Sequence, residues 1–82
     1  MTLKKELSEW FDRGVAQGAS HMIVVCDTYD HEDYPVYVMD PLDVVKKQKE
    51  YEVMPMQRVM EIYSLRKDKQ EQMSETRSFH LD

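Results

Sequence analysis

The 82-residue sequence predicts a small α+β domain, with elements in the order α-β-β-α-β-α and the helices packed on a three-stranded sheet. Three observations carry this. The first is an opening stretch with apolar residues at helical spacing. The second is a pair of β-branched runs separated by a polar, turn-forming segment. The third is an unmistakable helix start at Asp40-Pro41 that divides those runs from a third apolar stretch. One domain, 1–82, is all the length allows, because independent domains rarely fall below roughly 50 residues.

Leu3, Leu7, Trp10, Phe11 and Val15 form one stripe of the first helix, with Thr2 placed to cap it and Gly14 or Gly18 placed to stop it. His21-Met22-Ile23-Val24-Val25-Cys26 is short, almost continuously apolar and rich in β-branched residues, the pattern of a central strand buried on both faces. A polar loop spans Asp27 to Asp33. The run Tyr34-Pro35-Val36-Tyr37-Val38-Met39 then supplies a second strand, and Pro35, which has no N–H to donate, belongs at its start or on a sheet edge. The simplest join of the two is an antiparallel hairpin.

Asp40 as N-cap, Pro41 at the first helical position and Asp43 in the first turn start the second helix. It runs through Val44, Val45, Gln48 and Tyr51 and fades before Pro55. Residues 56–66 fit both periods. A strand is preferred because a lone hairpin is marginal in water; the alternative is a helix, leaving a two-stranded hairpin plus helices. A right-handed crossover through the second helix could join one strand pair. Residues 67–80 read as a weakly amphipathic, fraying C-terminal helix.

The net charge of −5 is concentrated. Residues 1–20 sum to zero and residues 46–82 carry one excess positive charge. Residues 21–45 hold Asp27, Asp30, Glu32, Asp33, Asp40 and Asp43 with no Lys or Arg. Asp40 and Asp43 are explained by the helix start, which leaves the hairpin segment as the candidate site: Asp27, Tyr29, Asp30, His31, Glu32, Asp33 and Tyr34. Carboxylates steer a basic partner, and tyrosine provides broad amphipathic contact at low entropic cost. Asp27, Asp30, Glu32 and Asp33 are also weak candidates for a divalent-cation loop, although the spacing lacks the glycine and distal glutamate of an EF-hand. A solvated turn needs no ligand at all.

Several classes are disfavoured. A pI near 5.1 is the wrong sign for direct nucleic-acid binding. Two glycines four residues apart make no phosphate loop, and there is no paired Cys/His zinc pattern and no cofactor motif. Cys26 lies in an apolar strand, where a thiol is packing rather than a nucleophile. No apolar run reaches the ~20 residues of a membrane span, and neither a signal peptide nor a disulfide framework is indicated, so a cytoplasmic setting is expected.

The phrases His21-Met22-Ile23-Val24-Val25-Cys26-Asp27-Thr28 and Met56-Gln57-Arg58-Val59-Met60-Glu61 resemble those of short uncharacterised proteins of bacterial and phage genomes. The resemblance implies a phage or bacterial setting and transfers no activity and no site residue. The expectation is therefore a non-enzymatic acidic interaction module that binds a protein partner with a basic surface. Its sharper variant is an inhibitor that blocks the basic groove of a host defence or nucleic-acid-processing protein by mimicking nucleic acid. A homodimer through the Pro35 edge strand is a further alternative.

Overall fold

The computed structural model describes residues 4–81. Helix α1, Lys4–Ala16, buries Leu7, Phe11 and Gly14. Thr2 and Leu3, expected at its start, lie outside the described residues. Gly18, not Gly14, ends it: φ is +78° there, and the Ala19 N–H donates to the Gly14 carbonyl (3.0 Å) while the Gly18 N–H donates to Val15 (3.0 Å). That pair of bonds is the Schellman arrangement, which a glycine in the left-handed region makes without a Cβ clash. Val15, expected in the buried stripe, is half exposed. At ~100° per residue it lies about 80° round the helix from Leu7, and the inward position in the last turn falls to Gly14.

Strand β1, His21–Asp27, is central, flanked by β2, Glu32–Val38, and β3, Gln57–Ser64, in the order β2-β1-β3. Both neighbours are antiparallel to β1, so the crossover joins β2 and β3 across it and no adjacent pair is parallel. The strand reading of residues 56–66 therefore holds. The second strand begins at Glu32 rather than Tyr34, which shortens the loop to residues 28–31. Pro35 sits opposite Val24 in the middle of the outer strand β2, and an edge strand is the place in a sheet where the missing donor is tolerated.

After β2, Asp40 Oδ1 accepts from the Leu42 N–H (2.9 Å), and a 3-10 turn, Pro41–Asp43, leads into α2, Val44–Val53. The sheet separates two apolar layers. Met22, Val24, Tyr63 and Leu65 pack with Leu7 and Phe11 of α1, whereas Ile23, Val25, Val59 and Ile62 pack with Val38 and with Val44 of α2. Alternation breaks at one place. Val24 faces Glu61 but Val25 faces Val59, so Met60 is the extra residue of a bulge. Met60 packs against the α1-side layer, while Val59 and Ile62, three apart, both face α2.

The C-terminal helix is much shorter than expected. α3 spans Lys69–Met73, capped by Asp68, whose Oδ1 accepts from Gln70 (2.9 Å) and Glu71 (3.2 Å). Beyond it the chain lies along β3: the Ile62 N–H donates to Ser78 (3.0 Å) and the His80 N–H to Ile62 (2.9 Å), with Phe79 bridging Ile62 in parallel. An open strand edge offers these groups better partners than a weakly amphipathic helix would.

Candidate functional site

The hairpin turn is built by its own carboxylates. Asp27 Oδ1 accepts from the Tyr29 N–H (2.9 Å) and Asp30 Oδ1 from the Glu32 N–H (3.2 Å). Each aspartate thus fixes the backbone two residues on. His31 takes the left-handed conformation, φ +60°. Tyr29 projects outward at 78% exposure, and Asp30, His31 and Glu32 are exposed with it.

The remaining predicted residues are drawn elsewhere. Because β2 starts at Glu32, Asp33 and Tyr34 point to opposite faces of the sheet. Tyr34 lies on the α2 side, its ring edge-on to Tyr51 (6.5 Å between centroids) and its hydroxyl donating to Gln57 Oε1. Burial raises its phenol pKa. Asp33 lies on the α1 side beside Cys26. The seven residues accordingly do not form one tyrosine-bearing face: Tyr29, Asp30, His31 and Glu32 form the exposed tip, Asp27 anchors the turn, and Asp33 and Tyr34 leave it in opposite directions. Among the described residues no three of His, Cys, Asp and Glu are grouped to hold a metal ion.

A cleft of about 510 Å³ opens on the α1 side of the hairpin. Leu7, Val24, Met60 and Met73 make its apolar lining, and Cys26, His31, Asp33, Glu61, Glu75 and Lys4 contribute polar atoms. Inside it the Tyr63 hydroxyl donates to Glu61 Oε2 (2.9 Å), which also accepts from the Ser78 N–H (3.1 Å). Burial, reinforced by Glu61, holds the Tyr63 phenol far above its ordinary pKa. The Cys26 thiol is pushed up as well, first by burial and then by the Asp33 carboxylate. The sequence pattern carries no sign of this cleft, because it needs Met60 and Glu61 on one face, and only the bulge places them there.

The α2–β3 turn also abuts the hairpin. The Met56 carbonyl accepts from the Thr28 N–H (2.8 Å), and Gln57 pairs with Asp27. Val53 (81% exposed), Met54 and Met56 are all exposed around this turn. Comparison with protein-family models, curated proteins and solved structures finds no match for the chain. What the fold and these surfaces define is a small α+β domain with an acidic turn at one end of its sheet and a cleft beside it.

Proposed function

We propose that the protein is a small non-enzymatic interaction module that binds a basic protein partner through the tip of the β1–β2 hairpin. The observation that carries this reading is the joint exposure of Tyr29, Asp30 and Glu32 on a turn braced by two carboxylate–amide bonds, in a segment without Lys or Arg. A braced turn loses little conformational freedom on binding, and an acidic tip steers a basic partner. The ion pairs Lys69–Asp12 (2.8 Å) and Lys47–Glu50 (3.8 Å) join residues of the helices.

A non-enzymatic role is supported by the cleft, whose Cys26 and Tyr63 are both held more firmly protonated, the wrong direction for a nucleophile or a base near neutral pH. A cytoplasmic, phage or bacterial setting belongs to the same proposal. It rests on the single cysteine and the sequence resemblance, and among the described residues no helix is long and apolar enough to cross a membrane. Pro35 in the middle of the β2 edge opposes strand-to-strand dimerisation, so a homodimer is the weaker reading.

The test is capture from a bacterial lysate on the immobilised protein, followed by binding measurements on each purified captured protein. Asp30→Asn with Glu32→Gln is expected to weaken association about tenfold and to flatten its salt dependence. Unchanged affinity and unchanged salt dependence would overturn the proposal.

A further inference from the structure

We infer that the hairpin tip and the α2–β3 turn form one composite docking face for a basic amphipathic segment of the partner protein. This rests on the interaction reading above and names the kind of partner it requires. The two turns are physically joined, by the Thr28 N–H to Met56 carbonyl bond (2.8 Å) and the Asp27–Gln57 pairing. At that junction Tyr29 is about four-fifths exposed and Met56 is exposed, and Val53 and Met54 are exposed at the end of α2 that leads into it. Clustered exposed apolar side chains with a polar rim mark interaction surfaces, and methionine adapts to differently shaped partners. Met56 also holds φ +62°, a conformation in which glycine is the cheapest residue. The chain nevertheless places a large exposed apolar side chain there.

Charge selects the occupant. Asp30 and Glu32 make the hairpin side of the face acidic, while the α2–β3 turn, with Glu50 and Glu52 set against Lys49 and Arg58, adds apolar surface without net charge. A second copy would bring the same carboxylates against themselves across a two-fold axis. Anionic lipid and nucleic acid carry the same sign as the hairpin side and are repelled. A peptide face that sets Leu-like side chains between Lys or Arg side chains meets both properties, the apolar surface and the acidic hairpin side.

The test uses a defined probe, an amphipathic Leu/Lys peptide of about five helical turns, with a scrambled peptide of identical composition as control. Binding to the full chain is followed by NMR titration and calorimetry. Expected results are shifts confined to the residues around Tyr29, Val53, Met54 and Met56, and binding at least about tenfold weaker to the scrambled control. Val53→Ser with Met56→Ser, both at exposed positions, should lose at least about tenfold in affinity while the thermal melt shows a folded domain.

If that variant binds like the parent while Asp30→Asn with Glu32→Gln loses binding, the composite face is wrong and the acidic-tip reading survives. If the serine variant loses binding and the acidic variant does not, the tip reading fails and the charge argument for the occupant fails with it. Equal binding of the scrambled peptide, no binding at millimolar peptide, or a dimer in sedimentation that the serine variant abolishes would each overturn the inference.

Discussion

Gly14 sits inside α1, where replacing glycine by alanine ordinarily stabilises a helix by about 1 kcal/mol. Here the opposite is expected. A Cβ on Gly14 would lie 2.7 Å from Leu65 Cδ1, 2.7 Å from Tyr37 Cε1 and 2.9 Å from Tyr37 Cδ1. The tyrosine ring is not free to swing away, because its hydroxyl donates to the Trp10 carbonyl (2.7 Å) from the preceding turn of the same helix. Leu65 meets the new Cβ only with the end of its side chain, so the anchored tyrosine ring is the firmer obstacle.

Overpacking of this kind costs about 1–3 kcal/mol, so the net effect of Gly14→Ala is destabilisation of up to about 2 kcal/mol. In a domain this small that lowers Tm by several degrees, at about 4–8 °C per kcal/mol. Urea unfolding read by the fluorescence of Trp10, half-buried on the same helix, should show a lower midpoint at unchanged slope. Tyr37→Phe releases the ring from its anchor, so Gly14→Ala should cost less in that background than in the parent. A Gly14→Ala protein more stable than the parent by about 1 kcal/mol would refute the reasoning: helix propensity would have won and the contact would be soft.

Two further outcomes follow from buried polar groups. Gln72 Oε1 accepts from the Ser64 N–H (2.8 Å) and its Nε2 donates to the Ser64 carbonyl (2.8 Å), so a side-chain amide acts as one more rung beyond β3; Gln72→Ala strands the Ser64 N–H, while the carbonyl keeps the Lys67 N–H (3.2 Å), and should cost about 1–3 kcal/mol in urea unfolding, with faster hydrogen exchange at the Ser64 amide. Stability should also fall in alkali. The Cys26 thiol and the Tyr34, Tyr37 and Tyr63 phenols are all raised in the folded protein, so their contribution is complete below the unfolded values of about 8.5 and 10 and is lost as pH rises past them, because the unfolded chain releases those protons first. For buried Tyr63 alone the slope is about 1.4 kcal/mol per pH unit above pH about 10, and a urea midpoint that stays flat from pH 8 to 11 would contradict it.

Much of the architecture was legible because it is local. The continuous apolar run of β1 marks a strand covered on both faces, and Asp40-Pro41 marks where the chain turns helical, although its first turn is 3-10 and α2 itself begins three residues later, at Val44. The strand-or-helix ambiguity of residues 56–66 has a physical origin. The bulge at Met60 puts Val59 and Ile62 on one face three residues apart, a helical spacing inside a strand. The C-terminal tail misled for the converse reason. Its composition is that of a poor helix, but what decides its course is the vacant edge of β3, which residues 74–80 taken alone cannot reveal.

The site was legible in composition and not in disposition. Reading the polar stretch as loop through Asp33 kept all the carboxylates and tyrosines together. Two more residues of strand, Glu32 and Asp33, bring in the pleat and send Asp33 and Tyr34 to opposite faces. Asp27 and Asp30 carry part of the segment's charge and also supply the acceptors that shape the turn. Tyr29 is thereby the one tyrosine of the predicted set whose ring is left largely in solvent.

The neighbourhood of residues 29 and 56 is a consequence of topology. β2 and β3 both run antiparallel to β1, so the end at which β1 finishes is the end at which both flanking strands begin. The β1–β2 turn and the α2–β3 turn must then lie side by side, however far apart they are in sequence. The acidic turn comes from a segment with no basic residue, and the other turn from a helix end that buries neither Val53 nor Met54. Tyr29, Val53, Met54 and Met56 are absent from both apolar layers, which are held by β1, β3 and the inward faces of α1 and α2. Surface substitutions at this end therefore leave the core contacts intact, and a loss of binding there reports on the surface and not on folding.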